Sequence, residues 1–587
     1  MPNLLAMSFE GELAPSFTLH CLERGDALPD GWGLGYYPAG EPSAAILKEP
    51  APPQASMRSQ LALAWEQVAS SLFVLHIRHA TWGALSDANT QPFSRTWGKR
   101  DWLMAHAGSL DRKLDALDAS QGDASSGSMT RGGPFEPVGS TDTEQLFCEF
   151  LNRCHDRGWK SLADVDHDTV EKWLAEWGEL GGMTLCLTDG RDLLVHADRR
   201  GDPLWLGKLA PPYEKIAFGD RDLEIDLTRR GAKSRKGVIA CSSRLEPKAG
   251  DADHALAWQQ LAPGALVVIR EGAVIAERST GVAIERPRAR RLPERAEPRR
   301  YDVVHRTTYR YAKPIERSTH LLRLTPVHDR MQEVLAHSLS VSVRGDERDY
   351  DDVFGNRVRR LTVETPFTEL AIEARSTVLV HDVDPIGVGP LRVHETIPLV
   401  WMPWQRQVLD PFLLPPELPE TELGELAEYA MSFVKRNDHD VLDTLLDINR
   451  TIHTEYAYIP GATTVATTAF EVYVNRRGVC QDFTNLMICL ARLLGVPARY
   501  VCGYIFTGAS NANQVQSEAS HAWVQVYLPQ LGWKGFDPTN GVLTQTDHVR
   551  VAVGRNYLDA TPTSGTIFVG GGGETLAVDV KVTPRES

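Results

Sequence analysis

Along the first half of the chain, short apolar β-type runs alternate with runs whose apolar residues recur at helical spacing. Leu72–Ile77 and Gly264–Ile269 predict strands, and Thr143–Cys154 and Val170–Trp177 predict helices, so this half reads as a layered α/β or α+β domain. The pattern then stops. In Glu285–Arg300, ERPRARRLPERAEPRR, proline and arginine replace every apolar run; no core can form there, and an extended, charged linker is expected. A second break, Asp118–Gly133, is rich in Ser and Gly and reads as a flexible surface insertion. From Tyr301 to Asp382 the chain is almost all strand-like, with HSLSVSVRG and LAIEARSTVLV alternating apolar and polar, which predicts a small β-domain. Helices return from Leu423, and a helix–strand–strand succession runs to about Asn540. The run Gly570–Gly573 is not followed by a helical pattern, so it reads as a flexible tail and not as a phosphate loop.

Composition narrows the classes. At about 100–200 residues per domain, 587 residues make several domains. Hydrophobic residues at 42% and charged residues at 24% are ordinary for a folded chain. A net charge of −15 argues against a broad nucleic-acid surface, because phosphate contacts need a basic face. No signal-like start and no run of about 18 apolar residues occurs, so a cytoplasmic protein without a membrane segment is expected. Eight cysteines with no CxxC pair predict buried free thiols and no disulfide scaffold.

One cysteine is different. In GVCQDFTNLMICLARLLGVP, Phe483, Leu486, Met487, Leu490 and Leu494 recur at helical spacing and Gly495 with Pro497 stops the helix, which makes Cys480 its first residue. The unpaired amides and dipole of a helix start favour a thiolate there. Arg476 and Arg477 precede the turn and cannot be counted on to help. A thiolate nucleophile needs an imidazole and a group to orient it. HAWVQVYLP, starting at His521, and GWKGFDPTNG, with Asp537 at its strand end, predict two antiparallel strands that can bring these side chains together. Pairing them directly requires a longer loop or a bulge, and the sequence leaves that register open. Cys489 and Cys502, on the helix and on an apolar strand, read as structural.

GVCQDF followed by HAWVQVYLPQLGWKGFDPTNG resembles the transglutaminase-like superfamily in its bacterial form, and YDVVHRTTYRYAKPIERSTHLLRLTP resembles the domain that precedes it there, over roughly Tyr301–Tyr557. The resemblance implies a papain-like core in which Cys480 is the nucleophile, His521 the general base and acid, and Asp537 the orienting carboxylate. It implies a peptide or amide-bearing substrate and, by analogy, a setting with ATP-grasp ligases and proteasome-like peptidases. Calcium is not expected, since Asp438 and Asp440 are isolated acids; no metal or other cofactor is expected.

SLFVLHIRHATWG, NTQPF, AHAGSL and STDTE, in that order, resemble class II glutamine amidotransferases of the N-terminal-nucleophile fold over Met1–Ser279. The resemblance implies an αββα sandwich in which Arg78, Thr81 and Asp142 grip the amino-acid end of glutamine or a glutamyl group. An Arg fork suits a carboxylate and an Asp suits an ammonium. Two departures stand out. Pro2 occupies the place of the family's cysteine nucleophile, and the Asn-Gly of the oxyanion hole reads Ala107-Gly108. Cys21 lies too far from the N-terminus to substitute, and His76 and His79, three apart on a strand, face opposite sides and make no metal pair. The expected organisation is therefore a catalytically silent amidotransferase-like domain (residues 1–284), a linker (285–300), a β-rich domain (301–390) and a transglutaminase-like core with a tail (391–587). The rival expectation is a non-catalytic glutamine- or glutamyl-binding scaffold.

Overall fold

The computed structural model describes residues 4–585 apart from 20–28, 41, 52–56, 59–67, 80–83, 111–132, 201, 221–222, 229–234, 251–255, 280–281, 286–295, 384–394, 507–519 and 530. Pro2, Cys21, Thr81, most of the Ser/Gly-rich insertion and most of the Pro/Arg linker lie outside the described residues. The chain forms two compact units, Met1–Arg288 and Ala289–Ser587.

In the first unit, two seven-stranded sheets stack face to face. Leu4, Ala6, Leu72 and Val74 of one sheet meet Leu103, Ala105, Val195 and Val267 of the other in a fully buried layer. Strands covered on both faces read as continuous apolar runs, which is why the sequence shows little alternation here. Helices α1 (Asp142–Asp156) and α2 (His167–Gly178) cover the outer face of the second sheet, where Phe147, Leu151, Trp173 and Trp177 pack on Trp102 and Leu185. Thr141 and Asp166 cap them, accepting from Glu144 N and Thr169 N. Among the described residues, the outer face of the first sheet is covered by a four-stranded sheet and not by a second helical layer, with Phe9 and Phe73 packed on Ile216, Phe218 and Ile225. The mixed α/β character expected is found; the second α layer of an αββα sandwich is not seen among these residues.

The second unit opens with a 24-residue strand, Arg299–Leu322, paired antiparallel with Phe367–Val380 and with Arg357–Val363. The tail corrects an expectation. Thr563–Gly570 and Glu574–Arg585 are strands, and both pair antiparallel with Arg299–Leu322, with the positive-φ run Gly570–Gly573 forming a bulge between them. The glycines thus interrupt one long edge strand, and the alternation in LAVDVKV is the signal that a reading fixed on glycine passes over.

Helices also return earlier than Leu423. Helix α3 (Pro403–Leu413) precedes α4 (Glu420–Arg436), α5 (Val441–Glu455), α6 (Ala469–Asn475) and α7 (Cys480–Leu493). Helix α7 is the axis of this core: Phe483, Leu486, Met487 and Leu490 are buried against Phe433 of α4, Leu445 and Ile448 of α5, and Ala522, Val524 and Val526 of a five-stranded sheet. Among the described residues no helix is long and apolar enough to cross a membrane.

Candidate active site

Cys480 is the first residue of α7 and is half-buried. Asp482 turns back to cap the helix start: its Oδ2 accepts from Val479 N at 2.8 Å and from Thr463 Oγ1 at 2.5 Å. Asp482 N and Phe483 N both donate to the Val479 carbonyl at 3.0 Å, so the amides of Cys480 and Gln481 are the ones without a helical acceptor, which leaves a partial positive charge beside the thiol.

His521 begins the strand His521–Leu528, and Asp537 ends the strand Gly532–Asp537. The register resolves what the sequence left open. Leu528 pairs with Gly532 and Val524 with Phe536, so one further step sets Asp537 opposite Trp523. His521 lies two residues beyond Trp523 on the same face, and a diagonal neighbour is within reach without direct pairing. His521 Nε2 and Asp537 Oδ2 are 2.9 Å apart. The ring's other hydrogen-bond neighbour is the Cys480 thiol.

Asp537 is completely buried, and every lone-pair direction is used. Its Oδ1 accepts from Thr539 N at 3.0 Å and Asn540 N at 3.2 Å, and its Oδ2 from Asn540 Nδ2 at 2.7 Å. A second imidazole, His548, also reaches Oδ2 through Nε2 at 3.2 Å, and its Nδ1 meets Asp547 Oδ1 at 2.7 Å. Burial alone would raise the Asp537 carboxyl, but the two histidines hold it far below the usual carboxylate range. Burial alone would likewise lower both imidazoles. For His521 the Asp537 charge and then the thiol overcome it and lift the ring to about 10; for His548 the Asp547 and Asp537 carboxylates lift it to about 9.

Sequence reasoning missed His548 and Asn540. Asn540 follows Asp537 in DPTNG and could have been noticed as a local turn donor. His548 carries no such signal, because its strand pairs with Ala498–Ile505 and reaches Asp537 only through the sheet order. The ligating atoms of His521, Asp537 and His548 lie within 4.8 Å of one another. Both rings already bond the same carboxylate oxygen, so the grouping is a hydrogen-bonded chain. Asp440 caps α5, accepting from Asp443 N at 2.8 Å.

In the first unit, Arg78, Gly108 and Asp142 line one cavity of about 440 Å³, together with His76, Gln91 and His106. Asp142 opens α1 and accepts from Leu110 N at 2.8 Å and Thr143 N at 2.9 Å. Arg78 is buried; its Nη1 and Nη2 donate to the Ala84 carbonyl at 3.4 and 3.5 Å, and the Asp30 charge acts on it. Gly108 has φ +137°, and a Cβ there would lie 2.1 Å from the Gly182 carbonyl oxygen, so only glycine fits. His106 meets Thr143 Oγ1 at 3.0 Å and the Gly182 carbonyl at 3.1 Å. His76 Nδ1 is buried with no hydrogen-bond partner among the described residues, and burial holds that ring down to about 3, hence neutral.

Comparison with known proteins follows the same division. Residues 1–292 match the class-II glutamine amidotransferases, 301–379 the bacterial transglutaminase-like N-terminal region, and 428–538 the transglutaminase-like superfamily. An uncharacterized protein of Mycobacterium tuberculosis is 32% identical over 306 residues, covering 49% of this chain and 93% of its own length. The glutamine amidotransferase-like YafJ of Escherichia coli is 27% identical over 272 residues, 45% of this chain and 95% of YafJ. Among solved structures, a cysteine protease-like protein from Cytophaga hutchinsonii aligns at 23% identity with a TM-score of 0.41, covering 50% of this chain and 93% of that one.

Proposed function

Because the chain belongs to the transglutaminase-like superfamily and joins to that half a class-II glutamine amidotransferase region, we propose that it is a cysteine-dependent hydrolase of peptide or carboxamide bonds whose first domain binds without turning over. Cys480 attacks the carbonyl carbon, its proton passing to His521. His521 then gives that proton to the departing amine, leaving a thioester on Cys480. Water, deprotonated by His521, attacks the thioester and releases the acid and the free thiol. An amine in place of water makes the same enzyme an acyltransferase. Asp537 holds His521 through Nε2, so the opposite nitrogen faces the thiol.

The observation that carries this reading is the 2.9 Å bond from His521 to a carboxylate with no free lone pair, beside a thiol at a helix start. Turnover of peptide and amide libraries by the whole chain, beside Cys480→Ala, tests it. Turnover that persists without the thiol overturns it.

For the first domain, Pro2 offers no thiol or hydroxyl for attack, and Ala107 in place of an oxyanion amide deletes a donor whose loss costs about 10²–10³ in rate. An N-terminal-nucleophile-type pocket that grips glutamine or a glutamyl group through Arg78, Thr81 and Asp142 remains. The buried Arg78, which lines the same cavity as Asp142, favours this binding role, and a glutamyl-binding scaffold is the second reading of the whole protein. Its workplace would be the cytoplasm, beside ligases and peptidases that make and break amide bonds.

A further inference from the structure

Helix α3 is an unusual surface element. It buries one side chain, Leu409, while Trp404 and Val408, one turn apart, are 68% and 71% exposed. Between it and the sheet lies a cavity of about 350 Å³ whose wall includes Phe354, Trp404, Phe412, Arg499, Tyr527 and Trp533. The aromatic wall is continuous: Phe412 meets Trp533 edge-on with centroids 5.2 Å apart, and Trp533 meets Tyr527 at 5.4 Å. One cation interrupts it. The Arg499 guanidinium lies 4.3 Å over the Trp533 ring, and its Nε donates to Gln525 Oε1 at 3.0 Å. No carboxylate pairs with Arg499 among the described residues; Asp329, whose charge acts on it, is already held by Arg550 at 2.5 and 2.8 Å.

We propose that this cavity captures the C-terminal residue of a peptide, with a bulky apolar side chain among Trp404, Phe412 and Trp533 and the α-carboxylate on Arg499. A planar guanidinium offers two parallel donors to a carboxylate, and one already stacked on an indole is held in place for it. The volume is at the small end of ligand cavities. An acidic side chain brings charge without an apolar body, whereas a C-terminal Phe or Leu brings both on one Cα. At the cavity's rim, Val353 at 93% and Val408 at 71% exposure continue the apolar surface that preceding residues would cover. Recognition of a terminal carboxylate beside an apolar pocket is an established mode of peptide capture. The site is remote from the thiol chemistry: Tyr527 is six residues along its strand from His521, about 20 Å.

The probes are acetyl-Gly-Leu-Phe with a free carboxylate, the same peptide as its C-terminal amide, and palmitate, each titrated into the whole chain by calorimetry and tryptophan fluorescence. The acid is expected to bind about tenfold or more tightly than the amide. Arg499→Gln should erase that preference, and Trp404→Ala, at an exposed site, should weaken acid and amide by a common factor. The proposal fails if the wild type binds acid and amide alike, if it binds neither, or if the acid preference survives Arg499→Gln. Tighter binding of palmitate than of the acid peptide makes this a lipid site and also overturns it. Should Arg499→Gln not fold, the wild-type acid-to-amide ratio together with Trp404→Ala decides the matter.

Discussion

His548 Nε2 lies 3.2 Å from Asp537 Oδ2, the same oxygen that receives His521 at 2.9 Å. One buried carboxylate therefore serves two imidazoles, and His548 is anchored from behind by Asp547 at 2.7 Å. Replacing it leaves Asp537 with one fewer charged partner. A hydrogen bond to a charged group contributes about 1.5–3 kcal/mol. If that loss is expressed at the transition state, His548→Gln lowers kcat/KM by about ten- to hundredfold. Steady-state kinetics on any substrate found for the wild type checks this, and an unchanged kcat/KM would reduce His548 to packing.

The nucleophile and its orienting acid should respond differently. Cys480→Ala removes turnover with a melting temperature close to wild type, because the side chain is half-buried and small. Asp537→Asn should cost about 10⁴ in turnover through a mis-set imidazole. It should also destabilise the fold, since the amide cannot accept all the donors gathered on Asp537. Iodoacetamide followed by peptide mapping should label Cys480 ahead of Cys489 and Cys502, whose thiols burial pushes up to about 12.

The same groups set a pH profile. His521 and His548 stand at about 10 and 9 in the folded chain, above their ordinary 6.5. Their contribution is complete below 6.5 and is withdrawn as the pH rises through 9 and 10. Asp537 is depressed below 3.8, so its contribution is complete above that value and is withdrawn as the pH falls beneath it. Between them these groups favour the fold most from about pH 4 to 6.5. Melting temperature against pH should decline on both sides, and in His548→Gln the alkaline decline should be shallower. Parallel alkaline limbs would mean that His548 carries no charge.

For the first domain, glutamine should raise the melting temperature without release of ammonia. Stabilisation follows RT ln(1 + [L]/Kd), about 2.7 kcal/mol at a hundredfold excess over Kd. Arg78→Ala should abolish the shift. Ammonia release that is insensitive to Cys480→Ala would show that the domain is an enzyme.

The sequence carried local information well and long-range information poorly. The period of Phe483, Leu486, Met487 and Leu490 placed a helix start at Cys480, since helical spacing and an N-terminus are decided within one segment. Helix α3 was missed because Pro403 and Pro411 flank and interrupt its pattern, although proline at the first helical position is compatible with a helix. His548 was missed for the opposite reason: nothing near it in the chain hints at Asp537, and only the order of strands brings them together. The offset between His521 and Asp537 likewise needed the pairing Val524↔Phe536 to be fixed.

The pairing of Glu574–Arg585 with Arg299–Leu322 joins the two ends of the second unit in one sheet. As the polypeptide emerges from a ribosome, the long opening strand appears well before its edge partner, which follows the helices and the five-stranded sheet. Contacts this distant in sequence are slow to form. The β-rich layer must wait with one edge open until residues 563–585 have emerged, so a nascent chain stalled before residue 563 would expose an edge ready to pair with a neighbour.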